Sequence, residues 1–497
     1  MSATHKDPGL PVSNPTTPHW QEPLHPLADV SSPQLPETAD VVIVGSGITG
    51  CSVAKTLLHR DPRVRVVVLE ARGLASGASS RNGGHIISPC FSSFDELVSN
   101  FGTKAAVELA VFSERNIDKT FEVAAEFRSS GLVVESKIRR TEKVLAFRDR
   151  EKFDRIKTVL ELWNEHMPID RRDPFHMVDP EEAKARYGMQ NVAGLAVGRA
   201  AAAWPYRLWI GIWIQLYRTY GDRLSIETHT PALSVTALQQ IEQPHQYIVT
   251  TPRGDIKTTH IVYCTNGYTS HLLPRLRGKL FPVRGTMSAQ DLGSSVLNLG
   301  AQRSWSFDAS PSQDVETGVV DPGLYYLTQD PDSGYMMLGG EYDHPDSIAS
   351  SDDSKINPLS AEKIVDVVPR HFVGAKAPVV VSLWSGIMGF VRDGLPLIGN
   401  LPEVVSGRPG KGEWIAAGFN GYGTGYCLSC GEAVAEMILG KDIGWLPAVL
   451  LLTEERFGGS LVTRNAWGAL IGEDDGVEED ESTRTSSEGS GAAAEVR

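Results

Sequence analysis

The chain has 497 residues, of which 41% are hydrophobic and 22% are charged, and these proportions are ordinary for a globular protein. Its length predicts two domains rather than one. The formal net charge is −14, and residues 473–497, with nine acidic and two basic side chains, account for half of it. The remaining sequence has no basic patch, so we expect neither a nucleic acid nor a membrane as a partner.

Residues 1–37 are rich in Pro, Ser, Thr and His and lack an apolar core, which predicts a disordered lead without a signal peptide. The longest apolar runs fall well short of the roughly 18 residues that a membrane helix needs. Five cysteines, an odd number, indicate reduced thiols and a cytoplasmic location. The spacing of Cys427 and Cys430 is interpreted as a coincidence on a helix, with a redox role left open, and no metal site is expected.

Residues 39–70 predict a strand, a glycine-rich turn, a helix and a second strand. Gly45 permits the tight turn, Gly47 lets the backbone approach a pyrophosphate, and Gly50 lets the helix pack on the strand. The helix N-terminus offers unpaired N–H groups to phosphates, and Glu70 stands where a carboxylate meets a ribose. This unit is interpreted as a dinucleotide site. Its predicted contacts are Gly45, Ser46, Gly47, Ile48, Thr49, Gly50, Glu70, Ala71 and Arg72.

The next stretch, ARGLASGASSRNGGHI at residues 71–86, is too rich in Gly and Ser for a helix or a strand. A loop of small residues there lets further amides and hydroxyls reach the same pyrophosphate. FAD is favoured over NAD because the motif opens the folded part of the chain and no second complete fingerprint follows. The loop residues predicted to contact FAD are Gly77, Ser79, Ser80, Arg81, Asn82, Gly83 and Gly84.

The middle of the chain alternates between helical and β-rich patterns. The predicted elements are helices at 94–130, 150–166 and 208–220, a strand at 143–147, a β-rich stretch at 223–236 and a hairpin at 324–342. Near the end, GFNGYGTGY at residues 418–426 predicts a flexible glycine loop that opens a helix. The amides of that loop and the helix dipole suit the negative charge of a reduced flavin.

Several segments together carry a family resemblance: GASSRNGGH (77–85), IVYCTNGYTSHLLP (261–274), FPVRGTM (281–287), GFVRDGLPLIG (389–399) and AAGFNGYGTGYCLSCGEAVAEMI (416–438). They resemble the D-amino-acid-oxidase-like family of FAD-dependent amine oxidoreductases, with γ-glutamylputrescine and sarcosine oxidases as the nearest members. The resemblance covers residues 40–440. It implies further FAD contacts at Ala232, Leu233, Thr265, Asn266, Gly389, Asp393, Gly421, Tyr422, Gly423, Thr424 and Gly425.

These scattered motifs imply an α/β fold, in which a Rossmann-type FAD-binding domain is interleaved with a second, α+β substrate domain that carries a mixed sheet. The predicted FAD-binding parts are residues 38–93, 206–280 and 381–445. The predicted substrate-domain parts are residues 94–205 and 281–380. Residues 446–471 are expected to form a C-terminal extension, and the acidic residues 472–497 a disordered tail.

The resemblance implies that the protein oxidises a C–N bond of a small amine or amino acid by hydride transfer to flavin N5. Two alternatives stay open: an FAD-dependent C–O oxidoreductase acting on a hydroxy acid, and a non-catalytic interaction protein. Some relatives carry a covalently linked His in the loop where Arg81 stands, so noncovalent FAD is expected. Sarcosine oxidases carry an oxygen-promoting Lys where Met336 and Met337 stand, so the electron acceptor is either oxygen or another molecule.

The sequence fixes no catalytic residue, and the candidates are His85, Arg284 and Tyr422. His85 either faces the substrate or is structural. Arg284 lies in an apolar strand and needs an anionic partner, either a structural carboxylate or a substrate or cofactor group. Tyr422 either covers the flavin or substrate or packs in the core.

Two further groups are expected near the flavin. Tyr325, Tyr326 and Trp384 are expected to line an apolar pocket wall or to pack in the core. Arg392 and Asp393 are expected to lie near the flavin loop and to pair with each other.

Overall fold

The structure is a computed structural model. It describes residues 3–238, 245–310, 312–313, 320–321, 323–341 and 347–464. In chain order, the strands are β1 (Thr38–Val44), β2 (Val66–Leu69), β3 (His85–Ile86), β4 (Arg139–Phe147), β5 (Phe175–Val178), β6 (Gly194–Ala202), β7 (Leu224–Glu227), β8 (Ser234–Ala237), β9 (Tyr247–Thr251), β10 (Gly254–Tyr263), β11 (Leu280–Asp291), β12 (Arg303–Asp308), β13 (Ser312–Gln313), β14 (Val320–Asp321), β15 (Tyr325–Gln329), β16 (Met336–Glu341), β17 (Val379–Val391), β18 (Leu397–Asn400) and β19 (Glu413–Ala417). The helices are α1 (Ile48–Arg60), α2 (Phe94–Phe101), α3 (Thr103–Glu126), α4 (Leu132–Glu135), α5 (Arg150–His166), α6 (Pro180–Tyr187), α7 (Pro205–Tyr220), α8 (Thr269–Leu272), α9 (Pro358–His371), α10 (Glu403–Ser406), α11 (Cys427–Ile438), α12 (Glu454–Gly458) and α13 (Ser460–Thr463).

The first large sheet has the order β18-β19-β10-β1-β2-β7, with β9 paired to β10 and β8 paired to β9. Its central strands run parallel. Both faces of this sheet are buried, because Val41 and Ile43 of β1 join one core cluster and Val42 and Val44 join another. The parallel strands end at a common edge, which is where such sheets bind ligands.

The second large sheet has the order β17-β11-β16-β15-β12-β4-β6-β3, with β5 beside β6. It is mixed, because β4 and β12 run parallel while β11 pairs antiparallel with both β16 and β17. α9 packs against β11 and β16 and closes a core of its own on one face. The predicted fold class, a Rossmann-type sheet interleaved with a mixed sheet, is confirmed.

Strand pairing places two stretches of the predicted FAD-binding parts in the second sheet. β17 pairs along its length with β11, so residues 381–391 lie in the second sheet rather than with the FAD-binding part. β3 pairs with β6, so the second sheet also takes residues 85–86 from the first predicted FAD-binding part. Both strands pair with strands about 100 residues away in sequence, and local sequence patterns do not predict such pairing.

The prediction that residues 1–37 are disordered is wrong for the part of this segment that the structure describes. Trp20 is only 3% exposed, and its Nε1 donates to the carbonyl oxygen of Asn82 at 2.6 Å. The carbonyl oxygen of Trp20 accepts from Trp204 Nε1 at 2.6 Å. Thr16 Oγ1 accepts from the amide of Ser385 at 2.9 Å. A few hydrogen bonds to residues far along the chain therefore hold a segment whose composition is mostly polar. The predicted acidic tail, and residues 465–471 of the predicted extension, lie outside the described residues.

Candidate active site

A cavity of about 570 Å³ runs from the carboxyl edge of the first sheet to the face of the second. Its first end is lined by the turn after β1 and by the residues that follow β2. Its middle is lined by the loops at residues 77–83 and 421–424, and its far end by β4, β12 and the start of α5. The volume is typical of small-molecule sites, which span roughly 300–1,000 Å³.

The turn after β1 brings backbone close to the cavity. Gly45 has φ +105°, and a Cβ added there would lie 2.7 Å from the carbonyl oxygen of Cys264. A Cβ added at Gly50 would lie 2.0 Å from the carbonyl oxygen of Gly45, so only glycine lets α1 start this close to β1. The N-cap of α1 is Gly47, which has no side-chain oxygen to cap the helix. The amide of Ile48 donates to the hydroxyl of Ser79 at 2.9 Å, and the amides that follow it in the first turn are left as donors for an anion in the cavity, which Gly47, Ile48 and Thr49 line.

Glu70 closes β2 beside this turn, and its carboxylate is held from both sides. One oxygen accepts from the amide of Ser46 at 3.1 Å and from its hydroxyl at 2.6 Å. The other oxygen accepts from the amide of Arg72 at 3.0 Å. The carboxylate thus lines the cavity in a fixed orientation, as recognition of a ribose diol requires.

A buried carboxylate stands behind the loop that lines the middle of the cavity. Asp353 is 0% exposed, and both of its carboxylate oxygens accept from Arg72 Nη1 at 3.0 Å. Arg81 Nε lies 3.6 Å from the same carboxylate. Burial lowers the pKa of Arg81 to about 10, although Asp353 opposes this shift. Arg81 also donates to the carbonyl oxygens of Ser76 at 3.0 Å and Ser385 at 2.8 Å, so its guanidinium is tied down on several sides.

The glycine loop before α11 is fixed by asparagine side chains. Asn266, which follows β10 with φ +47°, accepts from the amide of Gly418 at 2.9 Å. Asn116 Nδ2 donates to the carbonyl oxygen of Thr424 at 2.8 Å, and Ser113 Oγ donates to that of Gly425 at 3.1 Å. The loop is therefore held by both the first sheet and α3 at the wall of the cavity.

Residues 40–437 match the family model described as DAO, FAD dependent oxidoreductase. The chain belongs to this family. The resemblance read from the sequence is thereby confirmed, and the protein is an FAD-dependent oxidoreductase.

This DAO-family protein is similar, at low sequence identity, to several characterised proteins. It is 21% identical over 418 residues to the γ-glutamylputrescine oxidoreductase of Escherichia coli (strain K12), covering 81% of this chain and 84% of that protein. Two solved structures share the fold. The glycine oxidase of Geobacillus kaustophilus has a TM-score of 0.62 at 16% identity and covers 84% of this chain and 99% of that one. An L-amino acid deaminase from Proteus vulgaris has a TM-score of 0.63 at 17% identity and covers 86% of this chain and 98% of that one.

The cavity of this DAO-family chain fits FAD. The start of α1 supplies donors for the pyrophosphate, and Glu70 supplies a fixed carboxylate for a ribose. Most residues predicted to contact FAD line the cavity: Gly45, Ser46, Gly47, Ile48, Thr49, Glu70, Ala71, Arg72, Gly77, Ser79, Arg81, Asn82, Gly83, Ala232, Thr265, Asn266, Gly421, Tyr422, Gly423 and Thr424. The structure thus gathers one site from six stretches of chain.

Some predicted contacts lie outside the lining of the cavity: Gly50, Ser80, Gly84, Leu233, Gly389, Asp393 and Gly425. Two of them contact residues next to the lining or within it. Ser80 Oγ donates to the carbonyl oxygen of Ala75, and Gly389 packs against Asn266. Leu233 is 41% exposed, although its neighbour Ala232 lines the cavity. A pattern of glycines and serines locates a loop in the sequence. It does not show which residues of that loop line the cavity and which lie behind them.

The predicted pairing of Arg392 with Asp393 is wrong. Asp393 is 4% exposed and accepts from Arg456 Nε at 2.9 Å and Nη2 at 3.0 Å. It also accepts from the hydroxyl of Ser460 at 2.8 Å. Arg392 Nε instead donates to the carbonyl oxygen of Arg464 at 3.1 Å. The carboxylate is therefore bound by α12 and α13, which no sequence motif linked to it.

The three candidate catalytic residues lie in different positions relative to the cavity. His85 and Tyr422 line the cavity, whereas Arg284 is outside its lining. Arg284 donates to the hydroxyl of Ser350 at 3.3 Å and to the carbonyl oxygen of Asp352 at 3.2 Å. Burial raises the pKa of Tyr422.

His85 is 7% exposed, and both of its ring nitrogens lack a hydrogen-bond partner among the residues described. Burial, with Lys143 as the next cause, lowers the pKa of His85 to about 3. The imidazole is therefore neutral at ordinary pH and offers its nitrogens to a ligand in the cavity.

Of the aromatic and methionine candidates, some line the cavity and others pack in the core. Tyr326 lines the cavity, while Tyr325 and Trp384 are outside its lining and pack in the core. Trp384 Nε1 donates to the carbonyl oxygen of Arg81 at 2.9 Å and so supports the loop at residues 77–83. Met336 and Met337 are fully buried and lie outside the lining of the cavity.

Sequence reasoning missed the charged residues at the far end of the cavity, which are Lys143 and Asp308 on the second sheet and Lys152 and Arg155 on α5. The available signal was one charged residue at the end of a largely apolar stretch: Lys143 begins KVLAF, and Asp308 ends SWSFD.

The cysteines, the potential metal ligands and the helix lengths bear on the remaining predictions from the sequence. Cys427 and Cys430 are free and buried, and burial raises the pKa of both thiols, as expected of inert side chains. No cluster of potential metal ligands occurs among the described residues. Within the same residues, no helix combines the length and apolar character that a bilayer crossing needs.

Proposed function

We propose that this FAD-dependent oxidoreductase oxidises a C–N bond of a small amine or amino acid, with the FAD held noncovalently. The observation that carries the proposal is the single cavity, which joins a dinucleotide turn to a charged chamber on the second sheet. The γ-glutamylputrescine oxidoreductase, glycine oxidase and L-amino acid deaminase named above, all similar over most of the chain, support the same chemistry.

When bound, FAD supplies an acceptor for a hydride from the carbon next to nitrogen. The chain's own residues bind and orient the substrate and the FAD, and they exclude water. The amides of residues 421–424 and the N-terminus of α11 line the middle of the cavity, where they would stabilise negative charge. Tyr326 and Met287 also line the cavity and lie against Gly83, where their side chains would limit access of water.

The environment of Arg81 supports noncovalent binding. Its guanidinium is held by two carbonyl oxygens and the carboxylate of Asp353. An arginine fixed in this way is no nucleophile toward a flavin ring. His85, the nearest histidine along the loop, belongs to β3, which pairs with β6 of the second sheet, and it lines the cavity.

The proposal also covers the electron acceptor and the location. Oxygen and a separate acceptor both stay open, because Met336 and Met337 are buried away from the cavity and give no support to either. A cytoplasmic location is supported by five free, buried cysteines.

The proposal is tested by mixing the FAD-loaded protein with panels of amines, amino acids and hydroxy acids under anaerobic conditions. C–N oxidation predicts loss of the oxidised flavin absorbance with an amine or amino acid, and release of one carbonyl product and one amine or ammonia per flavin. Reduction by hydroxy acids alone would contradict the proposal and favour C–O oxidation.

A further inference from the structure

The far end of the cavity presents opposite charges on two neighbouring strands. β4 and β12 run parallel, with Leu145 beside Ser306 in register. Side chains alternate along a strand, so Lys143 and Leu145 of β4 share a face, as do Ser306 and Asp308 of β12. All four side chains line the cavity. The charged pair therefore faces the space that the substrate would occupy.

Lys143 is a buried cation without a protein partner. The residue is 7% exposed, and its ammonium forms no hydrogen bond or ion pair with any residue that the structure describes. Its nearest aromatic neighbour, the ring of Phe175, lies 5.9 Å away. Burial lowers the pKa of Lys143 to about 8, with Asp308 opposing the shift. A buried ammonium in this position requires an anion, and the cavity is where the anion can enter.

Asp308 is the matching anion, and its carboxylate is also weakly paired. Its side chain is 18% exposed, and its closest basic group is Lys152 Nζ at 3.7 Å. Arg155, which also lines the cavity, is bound by Asp95 at 2.6 Å and Glu96 at 2.7 Å. Burial raises the pKa of Asp308 against the opposing effect of these cations. The carboxylate thus remains available to a cation in the cavity.

Lys143 and Asp308 form no ion pair with each other, because the ammonium within reach of Asp308 is that of Lys152 and the backbone positions of the two residues are offset along the strands. Lys143 is in register with Ser304, and Asp308 with Phe147. Their positions differ by four residues along parallel strands, or about 13 Å at roughly 3.3 Å per residue. A simple amine would leave Lys143 without an anion, and a simple acid would leave Asp308 without a cation. A molecule with both groups pairs both charges.

We propose that Lys143 and Asp308 form a dipolar subsite that selects amines carrying a carboxylate. Lys143 binds the carboxylate, and Asp308 binds the ammonium group. Asp308 then takes one proton from that ammonium, which leaves a neutral amine and a carboxylic acid and involves no change of oxidation state. His85 lines the same cavity, and both of its ring nitrogens lack a partner among the described residues, so it adds a neutral hydrogen-bonding group to the subsite. The amine part of this inference rests on the proposed function, whereas the carboxylate part does not.

The first test measures binding without turnover. The FAD-loaded protein is titrated with acetate, propionate and butyrate, and binding is read from the shift of the flavin spectrum and from thermal unfolding. Lys143→Met should weaken binding on the order of 10- to 100-fold, as expected for loss of a charged hydrogen bond, and Lys143→Arg should restore part of it. Asp308→Asn should tighten binding, because a repelling charge is removed. Lys184→Met, a change at an exposed lysine outside the cavity, is the matched control.

Equal carboxylate affinity in Lys143→Met and Lys184→Met would overturn the assignment of Lys143. FAD content and the unfolding midpoint of each variant show whether its fold is intact. Retention of binding by Lys143→Arg separates a requirement for charge from a requirement for shape.

The second test uses turnover with matched substrates. Amino acids are compared with the amines that lack only the carboxylate, and anaerobic flavin reduction is followed. The natural protein should prefer the carboxylate-bearing member, and Lys143→Met should abolish that preference. Asp308→Asn should move the pH profile of reduction to higher pH, because the substrate must then lose its proton to solvent.

The two proposals fail in different ways. Reduction by amines without regard to a carboxylate, unchanged in Lys143→Met, would overturn the subsite while C–N oxidation stands. Carboxylate binding that depends on Lys143, without reduction by any amine, would contradict the proposed function while the anion site stands.

Discussion

Asp353 lies outside the lining of the cavity, but we expect its loss to damage the FAD site. It is fully buried and holds Arg72 through two 3.0 Å bonds and Arg81 at 3.6 Å. Asp353→Ala would leave two buried guanidinium groups, both lining the cavity, without their carboxylate. Breaking a buried pair in this way costs about 3–5 kcal/mol. We expect the free energy of unfolding to fall by that amount and bound FAD to be lost on gel filtration.

The neighbouring residue supplies a matched control. Asp352 is also an aspartate, but its side chain is 32% exposed and its partner Lys355 is 71% exposed. Asp352→Ala should cost only about 0–1 kcal/mol, because exposed ion pairs are weak. Urea unfolding of both FAD-loaded variants, with FAD retention measured in parallel, gives the comparison. Similar midpoints for the two variants would refute the idea that the buried carboxylate organises the arginines of the site.

Three further predictions concern the turn, the N-terminal segment and the pH dependence. Gly50→Ala should abolish FAD retention in the purified protein, because its Cβ would lie 2.0 Å from the carbonyl oxygen of Gly45; a normal flavin content would contradict this. Trp20→Ala should lower the free energy of unfolding by about 3–5 kcal/mol, and Trp445→Ala, at a residue that is 38% exposed, should change it far less. Equal effects in the two denaturation curves would count against an ordered N-terminal segment. Carboxylate affinity should be constant below the pKa of Lys143, about 8, and fall as pH rises above it, because the ammonium loses its charge; a flat titration from pH 7 to 10 would be inconsistent with this.

Features encoded within short stretches could be predicted from the sequence. The turn from β1 into α1, with Glu70 after β2, is specified by local periodicity and glycine spacing, and the structure places its residues together. The glycine loop before α11 could be located for the same reason. Each depends on neighbours within about 30 residues, where hydrophobic patterns and turn chemistry decide the outcome.

The rest depends on partners far along the chain. Lys143 and Asp308 are 165 positions apart and meet only because β4 and β12 pair. Trp20 is held by the carbonyl oxygen of Asn82 and by the indole N–H of Trp204, and the polar sequence around Trp20 gives no sign of either contact. The register of β17 with β11 likewise places residues 381–391 in the second sheet, which composition could not predict. These arrangements follow from tertiary pairing, which overrides local preference.

The measurement that tests the account most directly is the visible absorption spectrum of the purified protein and of its supernatant after acid precipitation. The account predicts a flavin spectrum in the native protein, and FAD recovered in the supernatant in a ratio of about one per chain. Flavin that stays with the precipitate would contradict noncovalent binding. Absence of flavin even after incubation with FAD would contradict the assignment of the cavity.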